Sequence, residues 1–565
     1  MLRFLLFVLL VGVWLEAVVP LASGMAGFVE EAAGLVTVLP DWTGTEGRVD
    51  VPFAGGSLVT ERYQPVGGLL AADGHFTPVM VDGHIGAIAF APYRWAAQIG
   101  GLGWARALSV AGGVAVFAGV LQLCRELGSP LAGWLAVLLM ATSTHFLFMY
   151  QWVRPDERWT WSMPLFAVLA LVRHAKTGHR RWLIVAGACA GLAVAAKTTA
   201  VLTLGGMCLA ALVFRLTSHM KRLDYALLAG AAVPPMLPQV LWTLHGNHAA
   251  FDVRVTGLPD LRELLDPQRL AWFFWHFLDS FGGLGDYVHA ATTGQPLHPG
   301  LVARISGLVI LVAVIASFGL AIRRTTSRPQ RAYGLALGAT LVAYLTVYYR
   351  GMSLYNLLAL WLPVAVALVL VQLWSAGKFV ALRRGIMVSI LVLLCGNGIA
   401  QTRILHRAVA HPQFDLMSRS VHEDLATALI QANILRPWTS TFNAVGELEV
   451  TTTGQVRPHH AFDLIRLAVR QTGETMFGYD LGWDRVLALA RKTDSSGRSD
   501  FVLQPAACDF DVSPLKHREW LAGRFEQAVA RNGGRISQLR QFRAEATGPV
   551  LLTWATVQWP IALAR

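Results

Sequence analysis

The chain has 565 residues, 54% of them apolar and only 15% charged, with a mean hydropathy of +0.48; an ordinary soluble protein carries about a quarter charged residues. This excludes a soluble globular enzyme and points to a polytopic α-helical membrane protein. The formal net charge of +12 needs no nucleic-acid partner, because the basic residues lie in short stretches between apolar runs, where topology and lipid headgroups account for them.

Crossing a hydrocarbon core of roughly 30 Å takes about 20 apolar residues. Eleven segments qualify, at about 2–22, 105–124, 131–151, 159–172, 182–196, 199–214, 225–244, 301–322, 332–349, 357–374 and 386–401. The stretches after the second, fourth, sixth, eighth and tenth of them hold fifteen basic residues against two acids, Glu126 and Asp224. By the positive-inside bias they are cytoplasmic. The amino terminus is then inside, and the soluble-like tail is outside. The expected location is a bacterial cytoplasmic membrane with a periplasmic or extracellular tail. The first segment also reads as a cleaved signal peptide, since Ala22, Ser23 and Gly24 follow it as small residues.

Residues 1–401 thus form a transmembrane domain that includes an external loop, 23–104, rich in glycine and acids. A second external loop, about 245–300, carries the run Trp272, Phe273, Phe274, Trp275, which reads as an interfacial belt. The tail, 402–565, mixes helical and strand-like patterns and is expected to be an extracytoplasmic α/β or α+β domain. The five cysteines show no metal-site spacing and no disulfide framework. The pair His459-His460 reads as a surface pair rather than a metal site.

Ionisable groups near membrane depth are costly and mark function by default. The turn after the third span reads Arg154, Pro155, Asp156, Glu157, Arg158; it is either a solvated turn with local ion pairs or part of a site. The fifth span is short, so Lys197 at its end either sits below the outer surface facing a cavity or snorkels to the headgroups. Arg350 and Tyr355 lie on the same expected side. The first loop offers Asp41, Glu46, Asp50, Glu61, Asp73, Asp82, His75 and His84 as candidate bases, and sequence alone does not choose among them.

The order of these pieces resembles the glycosyltransferase-C superfamily, the polyprenyl-phosphate-sugar-dependent membrane enzymes that include protein O-mannosyltransferases and aminoarabinose transferases. The family's acidic Asp-Glu-Ala-Arg-Tyr motif is echoed by Glu61, Arg62, Tyr63, and its Gly-Asp-Trp-x-x-Pro turn by Asp73 to Pro78. Its Ala-Arg-Leu span opening is matched at Ala105, Arg106, Ala107, Leu108, and its external Arg-x-Asp turn at Arg154 and Asp156. Its Gly-x-x-x-Gly-Leu-Ala-x-x-x-Lys segment runs from Gly187 to Lys197, and Arg350, Tyr355 and Pro363 echo a later signature. Two features depart: a single acid, Glu61, stands where the family has two, and His84 is only the nearest candidate for a basic residue before the family's prolines.

The resemblance implies transfer of a sugar from a polyprenyl-phosphate donor to an extracytoplasmic glycan, lipid or protein, with inversion at the anomeric carbon. It implies Glu61 and Asp156 as catalytic carboxylates. Arg62, Tyr63, Asp73, His84, Arg154, Lys197, Arg350 and Tyr355 are then implied for substrate binding. No cofactor is demanded, and a divalent cation, magnesium or manganese, is compatible with the chemistry. Two other classes fit the sequence: a flippase for a lipid-linked saccharide, prompted by the broken stretch Pro234, Pro235, Pro238, and an inactive assembly subunit, prompted by the missing second acid.

Overall fold

The computed structural model describes residues 2–24, 48–53, 56–61, 67–71, 76–82, 85–244, 267, 278, 301–322, 326–347, 355–375, 379–410, 419–434, 437–441, 444–451, 466–471, 487–488, 490–492, 496–503, 525–543 and 550–560. A helix lies over each of the eleven apolar segments. They are α1 (Leu2–Gly24), α2 (Ala91–Glu126), α3 (Pro130–Ala141) with α4 (Thr144–Gln151), α5 (Pro155–Thr177), α6 (Arg181–Ala196), α7 (Ala200–Val213), α8 (Arg222–Leu244), α9 (Leu301–Ile322), α10 (Arg328–Val347), α11 (Tyr355–Ser375) and α12 (Val380–Ala410).

Three expectations change. The third span is two helices bent by 66° at Thr142-Ser143. The second helix starts well before its apolar part and is interrupted by non-helical backbone at Gly100 and Gly101, the latter at φ 72°, a conformation that glycine adopts without steric cost. The count of eleven crossings is not reached on length and apolarity alone: among the described residues four helices qualify, five with the bent pair, and α6 and α7 are apolar but shorter, at 16 and 14 residues. The reason is physical. Where a helix end is buried in protein it need not span the hydrocarbon by itself, and charged termini or internal prolines, as in α5 and α8, lower the mean hydropathy of others.

Helix α1 is a core element. Trp14, Val18 and Leu21 are fully buried, with Trp14 set edge-on against Phe117 and Tyr150. Buried Arg106 donates from Nη1 to the Ala22 carbonyl at 2.7 Å, satisfying a carbonyl at the helix end, where a cation is also favoured by the helix dipole.

The first loop holds a five-stranded antiparallel meander, an element that its composition did not announce: β1 (Arg48–Phe53), β2 (Gly56–Glu61), β3 (Gly67–Ala71), β4 (Phe76–Asp82) and β5 (Ile85–Gly86), in sheet order 1-2-3-4-5. In the tail, helix α13 (Arg419–Gln431) and the short α14 (Gln527–Arg531) accompany a six-stranded sheet. Its strands are β6 (Trp438–Thr441), β7 (Ala444–Thr451), β8 (Arg466–Gln471), β9 (Arg498–Leu503), β10 (Arg535–Arg543) and β11 (Val550–Gln558), ordered 10-11-9-6-7-8. The β6–β9 pair is parallel and the others antiparallel. Its core includes Trp438, Phe501, Phe525 and Trp559.

Candidate active site

The start of α5 and the end of α6 lie at the same end of two packed, consecutive helices, and most of the site is built there. Arg154 precedes the helix and Pro155 is its first residue, a position where the missing N–H costs nothing and the fixed φ suits the helix. Asp156 therefore falls in the first turn, where the helix dipole favours a negative charge.

The solvated-turn alternative does not hold. Asp156 is 0% exposed and Lys197 5%. The Asp156 Oδ2 atom lies 3.9 Å from Arg154 Nη2 and 4.0 Å from Lys197 Nζ, so one buried carboxylate faces two cations, both beyond direct hydrogen-bond length. Nor does Lys197 snorkel. Helix α6 is 16 residues long, about 24 Å at 1.5 Å per residue, and ends inside the protein. Lys197 then turns extended, at φ −157° and ψ 127°, and forms a β-bridge with Ile85. The bridge needs a bare backbone opposite it: a Cβ on Gly86 would stand 1.8 Å from the Ala195 carbonyl oxygen.

Under this arrangement Ile85, Ala87, Ala89, Phe90, Tyr93, Ala105, Val153 and Ala196 form one packed cluster, joining the last strand of the loop sheet to the starts of α2 and α5. Arg94 donates from Nη2 to the Ala87 carbonyl at 2.5 Å, and burial pushes its guanidinium down to about 10, still charged at neutral pH. Arg158, 1% exposed, lies over the rings of Tyr93 and Tyr150 at 5.3 and 5.1 Å. Four buried or largely buried cations, Arg94, Arg154, Arg158 and Lys197, thus accompany Asp156. A site with this balance attracts an anion and stabilises negative charge as it develops.

Of the residues singled out from sequence, Asp156, Arg154 and Lys197 are brought together. Glu61 ends β2, pairing with Arg48, and β2 stands three strands from β5 in the sheet order, about 14 Å across the sheet at the usual strand spacing. Tyr355 opens α11. Arg62, Tyr63, Asp73, His84 and Arg350 lie outside the described residues, as do the aromatic run 272–275 and His459-His460. Sequence reading missed Tyr93, Arg94 and Ser109, and it named Arg158 only as a member of the turn, without a role; the signal available for it was its place one helical turn after Arg154. Among the described residues no group of three His, Cys, Asp or Glu side chains is placed to hold a metal ion. Asp156, with two cations already at its carboxylate, does not offer the donor set a divalent cation requires.

Residues 98–242, which contain this arrangement from Arg106 to Lys197, match the dolichyl-phosphate-mannose-protein mannosyltransferase family. Among solved structures, the arabinofuranosyltransferase AftD from Mycobacteria aligns with 98% of this chain and 39% of its own at a TM-score of 0.50 and 13% identity. The chain carries the glycosyltransferase-C fold. ArnT from Cupriavidus metallidurans, solved bound to undecaprenyl phosphate, aligns over 98% of this chain and 97% of its own at 13% identity and TM-score 0.49. The oligosaccharyltransferase of Archaeoglobus fulgidus aligns over 70% and 53% at 16% identity and TM-score 0.40, so the chain spans about half the length of that relative. No curated protein matches the sequence.

Proposed function

We propose that this chain is an integral membrane glycosyltransferase that moves a sugar from a polyprenyl-phosphate donor to an extracytoplasmic acceptor, with inversion. The observation that carries the reading is the buried Asp156 carboxylate facing Lys197 and Arg154 at one end of the helix bundle, in an excess of positive charge. In the reaction the bond from the anomeric carbon to the phosphate oxygen breaks and its electron pair leaves with the phosphate. The acceptor oxygen forms the new bond from the opposite face, and its proton passes to a carboxylate. A phosphate leaving group needs cations more than a proton donor. Lys197 and Arg154 supply them, joined by Arg62 and Arg350 on the resemblance alone. Asp156 accepts the hydrogen bond of the acceptor hydroxyl and orients its oxygen as the base; a share for Glu61 rests on the resemblance alone, its strand lying three strands from β5.

The helix ends that carry the charged cluster belong on the external face, by the basic bias of the opposite loops. That one-sidedness favours chemistry at a single surface over a flippase, whose charged site belongs near the midplane between paired halves. The distance of Glu61 across the sheet favours, as second reading, an inactive relative serving in an assembly.

The test is incorporation of label from a panel of polyprenyl-phosphate sugars into membranes containing wild type, Asp156→Asn or Glu61→Gln. The transferase reading predicts wild-type transfer that falls at least a hundredfold in Asp156→Asn, about 2.7 kcal/mol of barrier. Activity of that variant within tenfold of wild type removes Asp156 from the chemistry, and the same criterion decides Glu61.

A further inference from the structure

Arg158 is a buried cation for which, among the described residues, no carboxylate is a partner. Its guanidinium is instead held by neutral groups on three sides. Nη1 donates to the Ser109 hydroxyl, Nε donates to the Arg154 carbonyl at 3.1 Å, and the rings of Tyr93 and Tyr150 lie beside it at 5.3 and 5.1 Å. Ser109, itself fully buried, turns its hydroxyl toward the Tyr150 carbonyl at 3.0 Å and the Trp152 carbonyl at 2.6 Å. The guanidinium therefore binds both ends of the segment that links α4 to α5: Tyr150 and Trp152 through Ser109 on α2, and Arg154 directly. The Arg154 carbonyl takes a second hydrogen bond from the Arg158 backbone at 3.2 Å. Desolvating a cation without a counter-ion is expensive; aromatic faces and carbonyl acceptors offset part of that cost only in a fixed geometry.

Resting on the transferase reading, we propose that Arg158 is a positioning residue: it clamps the turn 152–156 so that Arg154 and Asp156 are held toward Lys197. It acts through Asp156 and does not itself touch substrate. Lysine cannot replace it, because a single ammonium lacks the planar fork that meets Ser109 and the Arg154 carbonyl at once while stacking beside two rings.

The test pairs a structural readout with a catalytic one in purified full-length protein. In Arg158→Lys, amide hydrogen exchange over residues 152–157 is expected to rise at least tenfold while exchange in the rest of α5 and in α6 is unchanged. Transfer from a polyprenyl-phosphate sugar is expected to lose at least tenfold in kcat with the donor KM within threefold of wild type, and adding Arg158→Lys to Asp156→Asn costs nothing further, as for residues that act as one unit. Ser109→Ala, a smaller change in case Arg158→Lys does not fold, is expected to move both readouts the same way by less. Unchanged exchange in the turn overturns the clamp, and losses that multiply with Asp156→Asn overturn its action through Asp156. A wild type that transfers from no donor removes the transferase reading and with it the catalytic role, whereas the exchange comparison then still decides the clamp on its own.

Discussion

At the scale of single residues, the site is governed by what burial does to charge. Lys197 and Asp156 are both almost wholly removed from solvent, and deleting one member of a buried pair is far more harmful than replacing both, because the survivor is left without its counter-charge. Lys197→Met is expected to destabilise the protein by about 3 kcal/mol, and Lys197→Met with Asp156→Asn by less than the sum of the two single losses; thermal or chaotrope unfolding in detergent gives both numbers. At the opposite end of the bundle the Arg180 guanidinium pairs with Asp224 at 3.2 Å, and the Lys221 backbone N–H donates to the same carboxylate at 2.9 Å. The Lys221 amide, and to a lesser degree Arg180, hold the Asp224 carboxyl below its usual value against the opposing effect of desolvation. A depressed carboxyl stabilises the fold above its unfolded pKa, about 3.9, and that contribution is lost as pH falls through the folded value. Melting curves of wild type and Asp224→Asn should therefore differ at pH 7, with wild type the more stable, and converge as the pH is taken below about 4.

At the scale of elements, the glycine pair in the Gly187-to-Lys197 segment has a packing role. Helix α6 lies so close to α8 that a Cβ on Gly187 would stand 2.2 Å from the Leu228 carbonyl oxygen, and one on Gly191 2.2 Å from that of Ala232. Small residues four apart allow this approach between membrane helices, and the approach fixes where α6 ends and hence where Lys197 stands. Gly191→Val is expected to abolish accumulation of folded protein. Gly205→Ala on α7, where a Cβ would meet nothing within 4 Å, should be neutral or stabilise by up to about 1 kcal/mol; size-exclusion profiles of the two variants side by side check the contrast. Much of this was legible in sequence: apolar length located the helices, and the shortness of α6 offered a buried Lys197 as one of two readings, between which burial decides. The bend at Thr142-Ser143 was not, although it falls in the polar run Thr142, Ser143, Thr144, His145: the apolar residues on either side together give the length of one span, so the run reads as an interruption rather than a corner. The loop sheet was hidden because its strands are short: β1 does alternate, Val49, Val51 and Phe53 against Arg48, Asp50 and Pro52, but over only six residues, and β2 and β3, which begin with glycine, do not continue the pattern. Arg158 was legible only as a member of the turn, because Ser109, Tyr93 and Tyr150 come from α2 and α4, distant in sequence, and nothing local distinguishes a clamp from a solvated charge.

At the scale of the whole molecule, the chain separates its charges between the two ends of a helix bundle. One end carries dispersed arginines and lysines with surface pairs such as Lys176–Glu126; the other gathers a few buried cations around one carboxylate. The first arrangement sets orientation in a membrane and the second favours an anionic ligand, which fits the one-sided membrane transferase proposed above. The most direct measurement is transfer of labelled sugar from polyprenyl-phosphate donors by purified wild type beside Asp156→Asn, with folding of both verified by melting. The account predicts transfer by wild type and a loss of at least a hundredfold in the variant. Equal transfer by both proteins, or none by a folded wild type from any donor in the panel, would contradict it.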